Sequence, residues 1–304
     1  MTTGGTRPTV VYIGGAGRSG STLLDNLLGS NPGWFSSGEL RLLWHARQLW
    51  THKCGCGRLL RECEVWTAVL ADLGDVDLSW AESMHDRLLR SRRAWRLLSP
   101  EAITRVPGGE EFVALNGRLV QSIATVTGAE VIVDSSKSPM GVALLRAAGV
   151  DVVAVQLVRD PRAIAWSWRR SSGSTDVTPF VPRSVPATTL EWVGNNVAME
   201  LVVRRLRVPH LRLRYEDLVD RPSDSLDAIA TLAGSSASVP VHGSTATLAS
   251  NHTVAGNPSR FRTGDVELRR DDEWRTRLTT RDRVVTSTIA LPLLSRYGYD
   301  LQPA

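Results

Sequence analysis

Thr9-Val10-Val11-Tyr12-Ile13-Gly14 runs directly into Gly15-Ala16-Gly17-Arg18-Ser19-Gly20-Ser21-Thr22-Leu23-Leu24. The first six residues are a short β-rich run ending in glycine, which predicts a buried strand. Leucines at 23, 24, 27 and 28 form a helical stripe over 21–29, and Asn31-Pro32-Gly33 stops it. Between strand and helix lies a glycine-rich turn. Its exposed N–H groups, with the helix dipole behind them, favour an anion. Ser19, Ser21 and Thr22 add hydroxyl donors and Arg18 adds a cation. From Gly15 to Thr22 the spacing is G-x-x-x-x-G-S-T, with Ser21 where a triphosphate-binding loop carries lysine. An enzyme of that kind also needs a magnesium carboxylate. The missing lysine argues against it. A nucleotide-dependent kinase with a degenerate loop and a nucleotide-binding protein without catalysis stay open as alternatives.

Outward from this stretch, strands are predicted at 130–134, 151–158 and 210–214. Helices are predicted at 39–50, 77–98, 110–128, 139–148, 160–170, 187–207, 223–233 and 281–297. Strands alternating with helices predict an α/β three-layer sandwich, a central parallel sheet flanked by helices. We expect one domain over 1–304, with a helical, cysteine-containing insertion at about 50–128 lying over the sheet edge. The Ser/Thr/Pro-rich stretch 171–186 is a candidate lid.

The 304 residues are 42% hydrophobic and 22% charged, an ordinary globular balance that excludes disorder and collagen-like repeats. The net charge is +5. Arginine carries it, since lysine occurs only at Lys53 and Lys137. Guanidinium forks suit phosphate and sulfate. The basic residues are dispersed, so no nucleic-acid partner is expected. No segment reaches the roughly 20 apolar residues of a membrane span, and the polar N-terminus is unlike a signal peptide. A cytoplasmic location is expected. Cys54, Cys56 and Cys63 with His52 make the donor set of a three-cysteine, one-histidine zinc site. Cys-x-Cys is tighter than the usual zinc knuckle. A structural cluster or an opportunistic disulfide is the favoured reading, and no metal is assigned.

Arg18-Ser19-Gly20-Ser21-Thr22 resembles the phosphosulfate loop of sulfotransferases that use 3′-phosphoadenosine-5′-phosphosulfate (PAPS). In motif it is closest to the tyrosylprotein-type and bacterial members of that P-loop-like family. A second stretch resembles the family's 3′-phosphate grip, an arginine at a strand end with a serine eight residues on: Arg159 and Ser167, through Asp160-Pro161-Arg162. Arg214-Tyr215-Glu216-Asp217 resembles the segment whose tyrosine lies beside the nucleotide. Residues 251–264 resemble the late loop over the 3′-phosphate and adenine. The resemblance covers about 9–40, 130–170, 210–220 and 250–265. It implies PAPS as sulfuryl donor, no metal requirement, and a small-molecule, carbohydrate or peptide hydroxyl as acceptor. The implied nucleotide contacts are Gly17, Arg18, Ser19, Gly20, Ser21, Thr22, Leu23, Arg159, Ser167, Tyr215, Asn257, Arg260 and Arg262.

Transfer needs a base. Glu39 stands at a distance from Arg18 similar to that of the glutamate base in tyrosylprotein sulfotransferases, after what reads as a Ser-Ser-Gly turn. A carboxylate shielded in a cleft is expected to have a raised pKa. The cytosolic branch uses a histidine two residues after a strand-end lysine; here Lys137 is present and Pro139 replaces the histidine, which favours glutamate. His45 and His252 are reserve bases. Lys137 and Arg18 are expected to neutralise charge as the sulfate leaves. The helices over 77–128 and the stretch 171–186 are expected to shape the acceptor pocket.

Overall fold

The computed structural model describes residues 7–45, 51–90, 99–170, 183–236 and 241–301. At its centre is a five-stranded parallel sheet of β1 (Thr9–Gly14), β2 (Trp34–Gly38), β3 (Val131–Lys137), β4 (Asp151–Val158) and β5 (His210–Arg214), in spatial order β2-β3-β1-β4-β5. Alternation along β1 sorts the core. Val10 and Tyr12 join one apolar cluster, while Val11 and Ile13 join the other. A strand whose two faces are both covered has no polar side, which is why TVVYI contains no charge.

Helix α1 (Ser21–Gly29) packs Leu24, Leu27 and Leu28 into the second cluster. The insertion holds α2 (Glu64–Leu73), α3 (Leu78–His85), α4 (Pro100–Thr104) and α5 (Gly109–Thr127). Trp66, Met84, Ile103 and Phe112 from these helices pack with Phe35, Tyr12 and Ile132 of the sheet. Pro139 opens α6 (Pro139–Ala147), where its missing N–H costs nothing. Then come α7 (Pro161–Arg170), α8 (Val185–Arg205), α9 (Tyr215–Asp220) and α10 (Pro222–Leu232). Near the C-terminus α11 (Trp274–Arg277) precedes α12 (Thr280–Arg296), which packs on α8 through Trp192, Tyr297 and Leu294.

Several elements differ from the sequence expectation. Trp34–Gly38 (WFSSG) is a strand, not a turn. It is short and carries two serines, so nothing local marks it. Pairing with β3 makes it a strand, and Ser37 Oγ donates to Val133 O at 2.7 Å. Strand β3 runs on through Ser135, Ser136 and Lys137. In place of a helix over 39–50 there is a 3₁₀ turn, Leu40–Trp44; 46–50 lie outside the described residues. Of the expected helix 77–98, α3 and a π-helical turn Asp86–Arg90 are described, and 91–98 lie outside. The Ser/Gly/Thr-rich stretch after α10 holds β6 (Val241–His242) and β7 (Thr245–Leu248), which pair antiparallel with β8 (Gly264–Glu267) in a small second sheet. No helix among the described residues is long and apolar enough to cross a membrane.

Candidate active site at the carboxyl edge of the sheet

Each strand of the large sheet ends in a residue that the sequence singles out, and the strand order sets them side by side. Across the edge come Glu39 after β2, Lys137 at the end of β3, the loop 15–20 after β1, Arg159 after β4 and Tyr215 after β5. The crevice beyond the carboxyl ends of parallel strands, where connections diverge to either side, is where open α/β sheets bind ligands.

The loop after β1 is shaped by unusual backbone angles. Arg18 and Gly20 both have positive φ, 69° and 93°. Successive N–H groups in such a turn converge into an anion-binding concavity. Glycine at 20 is required twice over: it takes the left-handed angle, and a Cβ there would stand 2.5 Å from Tyr215 Cδ2. Ser19 Oγ is buried with no hydrogen-bond partner among the described residues. Burial, and then the nearby Arg170 charge, lower the pKa of Arg18. Its guanidinium lies 5.4 Å over the Trp168 ring.

Arg159 is buried beside the same loop. Its Nη1 donates to Arg18 O at 3.1 Å, and its guanidinium stacks 4.4 Å over the Tyr215 ring. Nη2 donates to Asp271 O at 3.1 Å and lies 3.2 Å from the Asp271 carboxylate. Arg170 pairs with that carboxylate as well, at 3.2 Å. Nε of Arg159 is buried and unpartnered among the described residues. Two orphaned buried atoms, Ser19 Oγ and Arg159 Nε, are what an anion would satisfy. Ser167 is buried on α7, in the turns that follow Arg159.

Glu39 sits on the other side of β1. Its Oε1 is 2.6 Å from Lys137 Nζ, and its Oε2 accepts from Arg41 Nη2 at 2.9 Å. The Glu39 side chain is 17% exposed. Burial alone would raise its pKa, but Lys137 and Arg41 outweigh burial and hold it below the ordinary carboxylate value. The direction is opposite to the expected one, because two cations share the cleft. Lys137 has φ 68°, and its carbonyl accepts from Gly15 N at 3.4 Å. That strained strand end turns the lysine toward Glu39 and joins it to the phosphate loop. Arg41 is itself fixed by Ser136, through Nε to O and through its backbone N to Oγ, both at 3.1 Å.

The late loop lies over the start of α1. Asn257 N donates to Thr22 Oγ1 at 3.2 Å. The side chain of Asn257 caps its own short helix by accepting from Ser259 N at 3.1 Å. Arg260 is buried, with Nη1 on Gly256 O at 2.7 Å and Nη2 on Lys53 O at 3.2 Å. It therefore builds the loop. Arg262 is exposed at the loop's outer end. Of the reserve histidines, His45 has one ring nitrogen 3.0 Å from Glu82 and the other 3.2 Å from His85. His252 faces cysteine sulfurs, taking the place given to His52 in the sequence reading. Most of the stretch 171–186 lies outside the described residues. Arg41, Arg170 and Asp271 carried no sequence signal: each matters through a partner far away in the chain or set by the fold.

The sulfotransferase family model matches residues 8–238 of this chain. No curated protein sequence matches it. Among solved structures, the sulfotransferase domain from the Synechococcus PCC 7002 olefin synthase is similar at 21% identity and a TM-score of 0.55, over 98% of this chain and 97% of that one. The sulfotransferase domain from the curacin biosynthetic pathway is similar at 18% identity and a TM-score of 0.53, over 97% and 99%. At such identities the likeness is one of fold, a P-loop-like parallel sheet flanked by helices. With three quarters of its length matched by the family model, the chain belongs to the sulfotransferase family.

Proposed function

We propose that this sulfotransferase takes its sulfuryl group from PAPS and passes it to a hydroxyl of a small-molecule, carbohydrate or peptide acceptor, with Glu39 as the base. The observation that carries this reading is the row of ligand-ready groups along one sheet edge, with a carboxylate–lysine pair at one end and two linked arginines at the other. The whole chain is read as one domain.

The loop Gly17–Leu23 would hold the 5′-phosphate through backbone N–H groups, Ser19, Ser21 and Thr22. Arg159 and Ser167 would hold the 3′-phosphate. Tyr215, stacked on Arg159 and pressed against Gly20, would flank the nucleotide. Asn257 would close the site from above, with Arg260 supporting the loop and Arg262 at its rim. PAPS, when bound, supplies the sulfuryl group. Glu39 accepts the proton of the acceptor hydroxyl at a carboxylate oxygen. Lys137 Nζ and Arg18 would supply positive charge to the departing phosphate oxygen. A glutamate held ionised by Lys137 is ready to take a proton, and movement of Lys137 toward the phosphate would raise its basicity as transfer proceeds.

The test is transfer activity from PAPS to a panel of alcohols, phenols and sugars, for the native chain and for Glu39→Gln. The reading expects a loss of about 10²–10⁴-fold with unchanged nucleotide affinity. Equal activity of the two proteins removes Glu39 as base. Binding of adenosine 3′,5′-bisphosphate without turnover on any acceptor would favour a nucleotide-binding protein that lacks catalysis.

A further inference from the structure

The loop that lies over α1 and the hairpin that opens the insertion meet at four metal-ligand atoms. Cys54 and Cys56 lie on a tight hairpin closed by a Lys53–Leu59 bridge, with Cys54 N donating to Arg58 O at 2.7 Å and Gly57 N to Cys54 O at 2.8 Å. Cys63 immediately precedes α2. His252 arrives from the late loop, 189 residues beyond Cys63. One ligand atom from each of Cys54, Cys56, Cys63 and His252 lies within 4.8 Å of all the others.

The separations suit one small tetrahedral ion. His252 Nδ1 is 3.2 Å from Cys63 Sγ and 3.7 Å from Cys54 Sγ. With Zn–S near 2.3 Å and Zn–N near 2.0–2.1 Å, the sulfur–nitrogen edge of a tetrahedron is about 3.6 Å, and the two distances straddle it. The three cysteines are free thiols. One disulfide would leave the third cysteine and the imidazole unexplained; one ion uses all four.

The surroundings hold the ligands in place. The Phe35 ring lies nearly parallel to His252, at 6.4 Å and 10°, and Trp66 Nε1 donates to His252 O at 2.6 Å. Gly55 N donates to Thr253 O at 3.0 Å, and a Cβ on Gly55 would stand 1.9 Å from Asn251 Oδ1. Only glycine lets the hairpin tip sit this close to the loop. Packing that fixes ring orientation from outside the ligand shell is the usual support of a metal site.

The geometry points to a structural zinc ion held by Cys54, Cys56, Cys63 and His252. Four protein ligands leave no open position, so the ion holds structure and takes no part in sulfuryl transfer. Its place in the fold defines what it holds. Immediately after His252, Val254 N donates to Ser37 O at 2.9 Å, and Ala255 O accepts from Glu39 N at 3.3 Å. Asn257 then reaches Thr22, while Arg260 returns to Lys53 O beside the hairpin. The ion clasps the insertion to the loop that fixes the backbone of Glu39 and covers the start of α1.

The test measures the metal content of the full chain, expressed in zinc-supplemented medium and purified in reducing buffer without chelator. The expected result is about one zinc per chain that survives dialysis. Cys56→Ser and His252→Ala should each fall below about a tenth of that, while His52→Ala keeps it. Should a variant misfold, the native chain stripped of metal and titrated with Co(II) decides: a thiolate-to-cobalt charge-transfer band and intense tetrahedral ligand-field bands are expected. A folded native chain that takes up neither zinc nor cobalt, or is isolated with a Cys54–Cys63 disulfide, overturns the proposal. The readout is bound metal, so it stands apart from the donor and base assignments.

Discussion

The two flanks of β1 differ in how far their polar groups are satisfied. On the β3 side, Glu39, Lys137 and Arg41 satisfy one another within hydrogen-bond distance. On the β4 side, buried donors are left over. Arg159 holds one backbone carbonyl of the phosphate loop and shares a single carboxylate, Asp271, with Arg170, and its Nε and Ser19 Oγ have no partner among the described residues. A carboxylate held between two cations, with its hydrogen bonds satisfied, suits moving a proton. A flank with orphaned donors suits holding an anion. The proposed division between base and anion grip thus follows which polar groups on each flank are already satisfied.

The largest effect that would break this contrast is on the β3 flank. Glu39→Gln should lower kcat by about 10²–10⁴-fold and leave affinity for adenosine 3′,5′-bisphosphate within about twofold. A matched loss of affinity would put Glu39 in the anion grip instead. The pH profile sharpens the same flank. Lys137 and Arg41 hold Glu39 below the ordinary carboxylate range, near 4.3, against the upward push of burial. The native enzyme should therefore show no acid limb from Glu39 in kcat/KM above about pH 5. Lys137→Met removes the main downward influence and leaves burial. The limb should then move up, on top of an overall loss of rate. A limb that stays where it was would mean that Lys137 does not control Glu39.

On the β4 flank, Asp271→Asn removes the carboxylate that Arg159 and Arg170 share, and leaves Arg170 paired with Glu273. Nucleotides bearing a 3′-phosphate should bind about 3–10-fold more tightly, as expected for loss of a like charge near the site, with little change for nucleotides that lack it. Equal tightening of both would locate Asp271 near the 5′-phosphate.

The two flanks also differed in how far they could be read from the sequence. The β4 flank was legible because its parts are local. The phosphate loop lies between a marked strand and a leucine-striped helix, and Arg159 stands at the junction of an apolar strand with a proline-initiated helix. The β3 flank was not. Family resemblance points to Glu39, but its neighbours follow from β2 pairing with β3, and WFSSG has too few apolar residues to announce a strand. Arg41 and the direction of the Glu39 pKa came with that pairing. The same reason hid His252. Its partners Cys54 and Cys63 are some 190 residues away, while His52 stood beside them in the chain and drew the assignment.

The smallest expected effect concerns the helix beneath both flanks. Asp25, fully buried on α1, has its carboxyl pushed up to about 8 by burial and by the nearby Asp134. The unfolded chain loses that proton near pH 4, whereas the folded chain keeps it to about pH 8. This group therefore lowers stability progressively as pH rises between those values, and adds no further loss above them. Asp25→Asn should melt within about 1 °C of the native chain at pH 4 and about 2–5 °C above it at pH 8. A difference independent of pH would show that the carboxyl is ionised in the fold.

In the proposed complex the loop around Arg18 and the fork of Arg159 hold opposite ends of one bisphosphorylated nucleotide. Calorimetric affinities of the native chain and of Arg159→Ala, for adenosine 3′,5′-bisphosphate and for adenosine 5′-monophosphate, test it most directly. The variant should bind the bisphosphate about 10–100-fold more weakly, the worth of a charge-assisted hydrogen bond, and the monophosphate within about twofold of native. Equal losses for the two nucleotides would contradict it.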